Sequence, residues 1–301
     1  MTRQNSLYGP LDDVAGDAGY EEHPPRVGFF TDTSVCIGCK ACEVACKEWN
    51  LVPDDGFNLL GMSFDNTGML GANSWRHVAF IEQERPVRQN TVDLGMPAFE
   101  LPDAQTGADG RADFRWLMAS DVCKHCTHAA CLDVCPTGAL FRTEFGTVVV
   151  QQDICNGCGY CVSACPYGVI ERREGDGRAW KCTMCYDRLR DGLEPACAKA
   201  CPSDSIQFGE LDEMRERARA RVEVLHSRGV PEARLYGDDP EDGVGGTGAF
   251  FLLLDEPEVY GLPPDPVVTT RHLPRIYGFA AAAAGAMLAA AVSVFAGGRR
   301  R

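Results

Sequence analysis

The residues with the clearest chemistry are sixteen cysteines, which fall into four groups of four with none left over. The first is Cys36, Cys39, Cys42 and Cys46, a C-x2-C-x2-C-x3-C run. The second is Cys123, Cys126, Cys131 and Cys135, with a four-residue gap at its centre. Cys155, Cys158, Cys161 and Cys165 repeat the spacing of the first, and Cys182, Cys185, Cys197 and Cys201 carry an eleven-residue gap. Proline follows the last cysteine of the second, third and fourth groups, at Pro136, Pro166 and Pro202, whereas Lys47 follows the first.

Three chemistries use cysteine at this density. Disulfides need an oxidising compartment, and a bridge inside C-x2-C belongs to labile redox sites rather than to structural staples. All-cysteine zinc sites take C-x2-C pairs as two-ligand knuckles, which leaves the third cysteine of the first and third groups without a role. A zinc-binding structural module therefore stands as the remote alternative. Iron–sulfur clusters use every position. Three thiolates at this spacing wrap three corners of a cubane, and the fourth, before proline, reaches the neighbouring cluster. The pattern points to four [4Fe–4S] clusters. Because the fourth cysteine crosses over, the quartets must work in pairs. The second and third lie close in sequence and predict one ferredoxin-like unit. The first and fourth then pair with each other, so that one unit nests inside the other. No nucleophile–base pair, phosphate loop or self-contained molybdenum site accompanies them, and no C-x-x-C-H predicts covalent haem. The chain reads as a non-catalytic carrier of electrons.

The elements that must position these groups are legible in outline. The chain has 301 residues, 45% hydrophobic and 24% charged, a globular composition. Its 43 acidic against 29 basic side chains give a net charge of −14, which argues against nucleic acid as a partner. Short β-like runs precede cysteine groups at Val27 to Phe30, Phe114 to Leu117 and Thr147 to Val150, the strand–loop–helix order of a ferredoxin unit. Residues 49–121 form an insertion rich in Gly, Pro and Asn, too long for a simple loop, with a strand expected at Trp75 to Glu82. It reads equally as a docking element for a partner subunit or as a structural lobe. Glu210 to Arg228 predicts an amphipathic helix with Leu211, Met214, Ala218, Val222 and Leu225 on one face, closed by Gly229. The GVGGTG run from Gly243 to Gly248 lacks a surrounding βαβ unit and reads as a turn before a strand at Phe250 to Leu254. His125 and His128 lie within the second quartet, where one could bond a cluster sulfide; an ordinary surface position is the plainer reading.

The chain begins with a polar, acidic stretch without the pattern of a cleavable signal. Ile276 to Ala296 is 21 residues without a charge, the length of a membrane span, and ten of them are alanine. A buried or interfacial helix is the plainer alternative.

The run Cys36-Ile37-Gly38-Cys39-Lys40-Ala41-Cys42-Glu43-Val44-Ala45-Cys46-Lys47-Glu48-Trp49-Asn50 resembles the first cluster motif of formate dehydrogenase β subunits, electron-transfer partners of a molybdenum or tungsten catalytic subunit. The resemblance continues through residues 155–161, through Lys181 to Cys185, and through Glu194 to Cys197. It extends to Gly243 to Thr247 and Tyr260 to Pro263, and so covers roughly residues 27 to 275. The four-cluster cysteine pattern is shared by the wider molybdoenzyme β-subunit class, while the Glu48-Trp49-Asn50 ending and the GVGGT segment are more specific to formate dehydrogenases.

The resemblance implies an α+β fold of two nested ferredoxin-like double-cluster units with an inserted lobe and a C-terminal transmembrane helix. The expected division is a polar tail (1–26), a first unit (27–48 with 172–210), the insertion (49–121), a second unit (122–171), a helix and C-terminal extension (211–275) and the transmembrane helix (276–296). It also implies the ligand sets: Cys36, Cys39, Cys42 and Cys201 for cluster 1, and Cys182, Cys185, Cys197 and Cys46 for cluster 2. Cys123, Cys126, Cys131 and Cys165 would hold cluster 3, and Cys155, Cys158, Cys161 and Cys135 cluster 4. The implied partners are a molybdopterin-containing catalytic α subunit, a cytochrome b-type membrane γ subunit and the membrane. The implied role is relay of electrons from formate oxidation toward quinone. The same role in a dimethyl sulfoxide, polysulfide or thiosulfate reductase or in a hydrogenase complex is the alternative. Three arginines after the apolar span, Arg299 to Arg301, against Arg271 and Arg275 before it weakly favour a cytoplasmic tail and an extracytoplasmic cluster domain. In the family, export alongside a twin-arginine-bearing catalytic subunit fits that orientation, and a cytoplasmic one stays open.

Overall fold

The computed structural model describes residues 11–56, 67–86, 112–270 and 272–297. The first ten residues of the polar tail, parts of the insertion (57–66 and 87–111), Arg271 and residues 298–301, which include the terminal arginines, lie outside the described residues. The strands are β1 (Val27–Asp32), β2 (Arg76–Pro86), β3 (Ala112–Val122), β4 (Leu140–Arg142), β5 (Val148–Val150), β6 (Glu171–Arg172), β7 (Ala179–Trp180), β8 (Ile206–Glu210), β9 (Arg234–Tyr236) and β10 (Ala249–Leu253). The helices are α1 (Ala41–Asn50), α2 (Ala130–Asp133), α3 (Tyr160–Ala164), α4 (Tyr186–Arg190), α5 (Ala196–Lys199), α6 (Leu211–Ser227) and α7 (Leu273–Gly297).

A four-stranded sheet in the order β8-β1-β10-β9 separates the cysteine-bearing loops from α6. Strand alternation assigns its two faces. Phe29 and Phe251 point to the side that holds Cys42, Cys46, Cys123, Cys182 and Cys197. Phe30, Phe250 and Leu252 point the other way and pack on Leu211, Met214, Ala218 and Leu225 of α6. The Phe30 and Phe250 rings stack with centroids 5.5 Å apart. Both faces are covered, so β1 and β10 pair in parallel as continuous apolar strands, Phe29 opposite Ala249 and Phe30 opposite Phe250. β1, which precedes the first quartet, also pairs antiparallel with β8, which follows the fourth.

The expected strands at Trp75 to Glu82 and Phe114 to Leu117 pair with each other. They form one long hairpin, β2 against β3, from Arg76↔Val122 at its base to Pro86↔Ala112. Its base is not a free-standing lobe, because Val78 and Ser120 reach the first quartet. α6 ends where Gly229 takes a φ of +81°, a left-handed position that glycine adopts without strain.

α7 carries a 24-residue stretch, Leu273–Ala296, apolar but for Arg275 and Ser293, and its apolar window is entirely unburied by the rest of the chain. At about 1.5 Å per residue it is about 36 Å long, enough to cross a hydrocarbon core of about 30 Å. Among the described residues, none buries this helix. Pro274 stands in its first turn, where a missing N–H costs nothing.

Candidate metal centres

The C-x2-C-x2-C loops wind inward because residues between their cysteines take left-handed backbone conformations. In the first quartet these are Gly38 (φ 64°) and Lys40 (φ 60°), and in the third Gly157 and Gly159. In the second and fourth the turn falls on His125 (φ 45°), Met184 (φ 56°) and Cys185 (φ 50°), where a side chain makes it strained. Such turns direct successive sulfurs and backbone N–H groups into one concavity.

The sixteen cysteines are all free and gather in four sets. Cys36, Cys39, Cys42 and Cys201 line one cavity with Val78, Ser120 and Ile206. Cys123, Cys126, Cys131 and Cys165 line another with His125, Tyr167 and Lys181. Cys46 lies within electrostatic reach of Cys182, Cys197 and Cys185, and Cys161 within reach of Cys155, Cys158 and Cys135. Each set draws one member from a different quartet. Among the described residues no three His, Cys, Asp or Glu side chains stand close enough to share a single metal ion. Four sulfurs lining one cavity match the four-thiolate ligand set of a cubane.

Burial sets the protonation of these thiols. It pushes Cys42 up to about 11, Cys161 to about 11 and Cys182 to about 12, and holds Cys46 and Cys126 well above the ordinary value. Buried thiols of this kind stay protonated until metal displaces the proton, so cluster assembly releases protons. Cys135 differs. Burial acts to raise it, but the amides of Leu140, Thr137 and Ala139 and the Thr137 hydroxyl outweigh burial and lower it.

Several side chains outside the cysteine pattern point at sulfur. Asn50 Nδ2 donates to the Cys46 carbonyl at 2.9 Å and lies 3.6 Å from Cys185 Sγ, which gives the Trp49-Asn50 ending of α1 a physical role. Trp49 Nε1 donates to Asp187 at 2.7 Å, tying α1 to α4. Ser120 Oγ is 3.2 Å from Cys42 Sγ. Arg76, 1% exposed, donates from Nη2 to Cys197 Sγ at 3.3 Å and from Nη1 to the Ser120 carbonyl at 3.1 Å. Burial acts against its charge, but the sulfurs of Cys197, Cys42 and Cys182 outweigh burial and raise its pKa. Lys181 is also buried. Burial lowers its pKa, yet Cys123, Cys131 and Cys182 reverse the sign. Adjacency to Cys182 is a sequence signal for Lys181; nothing in the spacing flags Arg76, which is 34 positions beyond Cys42.

The second quartet is held by the GVGGT segment. Thr127 N donates to the Gly246 carbonyl at 3.0 Å and His128 N to the Val244 carbonyl at 2.8 Å. Gly248 N and Ala249 N return bonds to the His125 and Lys124 carbonyls. The turn expected there is thus a clamp on the cysteine loop. Gly245 (φ 74°) permits it, since a Cβ there would meet the His128 ring. Burial and the cations of Lys181, Arg26, Arg142 and Arg76 hold His125 neutral, and its Nδ1 accepts from Val148 N at 3.1 Å.

Two families, each described as a 4Fe-4S dicluster domain, match residues 35–139 and 114–211. The class is therefore that of dicluster iron–sulfur proteins, with four [4Fe–4S] clusters and sixteen cysteines to bind them. The nitrate-inducible formate dehydrogenase iron–sulfur subunit of Escherichia coli (strain K12) is 39% identical over 253 residues, 83% of this sequence and 76% of that protein. The formate dehydrogenase iron–sulfur subunit of Haemophilus influenzae is 39% identical over 252 residues, 82% and 72% of the two sequences. A polypeptide of the anaerobic dimethyl sulfoxide reductase of Escherichia coli (strain K12) is 35% identical over 193 residues, 64% and 77%. The chain belongs to the family of formate dehydrogenase iron–sulfur subunits, which are non-catalytic electron-transfer subunits.

Proposed function

We propose that this chain is the electron-transfer subunit of a membrane-bound formate dehydrogenase, working between a molybdopterin-containing catalytic subunit and a cytochrome b-type membrane subunit. The observation that carries the reading is the gathering of sixteen cysteines into four crossed sets in a chain whose relatives are formate dehydrogenase iron–sulfur subunits. The proposed ligands are Cys36, Cys39, Cys42 and Cys201 for cluster 1, and Cys182, Cys185, Cys197 and Cys46 for cluster 2. Cys123, Cys126, Cys131 and Cys165 hold cluster 3, and Cys155, Cys158, Cys161 and Cys135 cluster 4. Bound clusters supply reversible one-electron transfer; the chain spaces and shields them.

The proposed organisation nests a second unit (122–171) within a first (27–48 with 172–210), with 49–121 inserted, 211–275 appended and 276–296 in the membrane. The pairing of β1 with β8 supports the nesting. Order along the relay follows from shared residues. Cys46 and Cys201 join clusters 1 and 2, Cys182 faces Cys123 across the units, and Cys135 and Cys165 join clusters 3 and 4. The ends are exposed at Cys39 and Cys158, each beside an exposed apolar side chain, Ile37 and Tyr160. The root of α7 lies on the second unit: Thr270 Oγ1 donates to Asp133 of α2 at 2.6 Å, and Val268 packs on Ala130 and Ala164. The cluster 4 end is therefore the membrane end, and the catalytic subunit docks at cluster 1. The cluster domain faces outward, with the arginine tail in the cytoplasm.

The likeness to a dimethyl sulfoxide reductase polypeptide over 64% of the sequence keeps a reductase complex as the second reading. Purification of the intact complex from membranes, with mass spectrometry of its partners and assay against formate and an artificial acceptor, decides between them. Formate oxidation with a molybdopterin partner is expected. A complex inert toward formate that reduces dimethyl sulfoxide overturns the first reading in favour of the second. Protease treatment of intact spheroplasts tests orientation: degradation of the cluster domain is expected, and protection until lysis places it in the cytoplasm.

A further inference from the structure

The base of the β2–β3 hairpin places one cation, Arg76, in the interior of the first unit. Its Nη2 is 3.3 Å from Cys197 Sγ, and its Nη1 bonds the Ser120 carbonyl at 3.1 Å and Ser120 Oγ at 3.3 Å. Ser120 Oγ is in turn 3.2 Å from Cys42 Sγ, and the guanidinium carbon stands 4.9 Å from the Phe29 ring centroid. The charge is fully enclosed, and the groups that stabilise it are the sulfurs of Cys197, Cys42 and Cys182. A buried cation with no negative partner would cost several kcal/mol, so the site needs a compensating negative charge. A cubane held by four thiolates is an anion, and one electron makes it more so.

We propose that Arg76 sets the reduction potentials of both clusters in the first unit, raising each by favouring its reduced form, and so couples clusters 1 and 2 through one shared charge. The inference rests on the ligand reading above, in which Cys42 belongs to cluster 1 and Cys197 and Cys182 to cluster 2. The physical ground is that a fixed charge in a low-dielectric interior acts at nearly full strength, whereas at the surface it is screened. A hydrogen bond to a ligating sulfur works in the same direction. The hairpin that carries Arg76 is thus more than a surface insertion. It supplies the electrostatic lining of the first unit from a part of the chain without a cysteine.

The test is an anaerobic redox titration, followed by EPR, of the complex purified with its partners. It compares the wild type with Arg76→Gln, Arg76→Lys and Ser120→Ala, with iron measured on each sample. Arg76→Gln is expected to keep its iron and to lower two of the four potentials, by tenfold or more in the reduction equilibrium, about 59 mV for one electron. Arg76→Lys should shift them less, and cluster 4, which has no contact with Arg76, should stay in place. Ser120→Ala retains the cation and should move cluster 1 alone. Four unchanged potentials in Arg76→Gln with full iron overturn the proposal, as does an equal shift of all four. If Arg76→Gln loses iron, Arg76→Met, which also removes the charge but keeps an apolar stem, carries the test, and four wild-type potentials in an iron-replete Arg76→Met overturn it. An error in the ligand reading shows separately: Cys42→Ser and Cys197→Ser would then damage the same cluster instead of two different ones.

Discussion

Quartets one and three have the same C-x2-C-x2-C-x3-C spacing but sit in different surroundings. In the first unit the sulfurs are lined by side chains from outside the motif: Arg76 at Cys197, Ser120 at Cys42 and Asn50 at Cys185. Around the third quartet and the Cys135 that joins it the partners are mainly backbone, with the Thr137 hydroxyl also on Cys135. Ala179 N lies 3.4 Å from Cys155 Sγ, and amides of Thr137, Ala139 and Leu140 face Cys135. Cys158 is exposed, and the neighbours that bear most on Cys161 are other cysteines rather than cations. Equal spacing thus comes with unequal linings, and on the proposal above it is the lining that sets how readily each cluster takes an electron.

The largest effects should come from breaking the crossover in each unit. Cys46→Ser is expected to remove or convert the cluster of Cys182, Cys185 and Cys197 and to spare that of Cys36, Cys39 and Cys42. Cys165→Ser should do the same to the cluster of Cys123, Cys126 and Cys131 in the second unit. EPR of each variant decides, and loss of the cluster formed by the mutated residue's own sequence neighbours would refute the crossed assignment. Anaerobic analysis of the wild type should return about sixteen iron atoms per chain. About eight or fewer, or stoichiometric zinc, would remove the four-cluster basis of the comparison.

A second contrast concerns the membrane. The root of α7 bonds the second unit, through Thr270 and Asp133. Deleting residues 273–301 is expected to weaken membrane attachment of the assembled complex while leaving its iron and its four EPR signals intact. Fractionation after carbonate washing measures the first, and a loss of cluster 3 or 4 on deletion would show that α7 is structural rather than an anchor.

The same contrast explains what is legible in the sequence. Cysteine spacing, proline after the fourth cysteine, the apolar runs of β1 and β10 and the face of α6 are local patterns, and local patterns survive in a sequence. Leu211, Met214, Ala218 and Leu225 are buried as their 3.6-residue period requires. What is not legible depends on contacts between distant segments. Arg76 meets Cys197 across 121 positions, and Val244 meets His128 across more than 100. The hairpin formed by two separately expected strands is of the same kind, since pairing of Arg76 with Val122 leaves no trace in either segment alone. The left-handed turns at Lys40, His125 and Met184 are hidden for another reason, because only glycine announces that conformation.

The smallest effect tests how the second unit is held. Its first cysteine loop hangs on main-chain bonds to the GVGGT turn, and that turn is shaped by one carboxylate: Asp242 Oδ1 accepts from Val244 N and Gly246 N, both at 2.8 Å. Burial raises the Asp242 pKa above its ordinary 3.8, although the amides of Gly246, Val244 and Gly245 pull the other way. A carboxyl with a raised pKa binds its proton more tightly when folded. The ionised form therefore costs stability at neutral pH, and the cost is relieved as pH falls through the raised value toward 3.8. Asp242→Asn keeps the accepting oxygen and removes the charge, so stability at pH 7 should stay within about 1 kcal/mol of the wild type. Asp242→Ala strips the turn of its acceptor and should cost about 1–3 kcal/mol, read as earlier bleaching of cluster absorbance in urea. The balance between wild type and Asp242→Asn should move toward the wild type as pH is lowered from 7. If Asn and Ala are equally damaging at pH 7, the charge itself supports the turn, and the second unit relies on electrostatics as the first does.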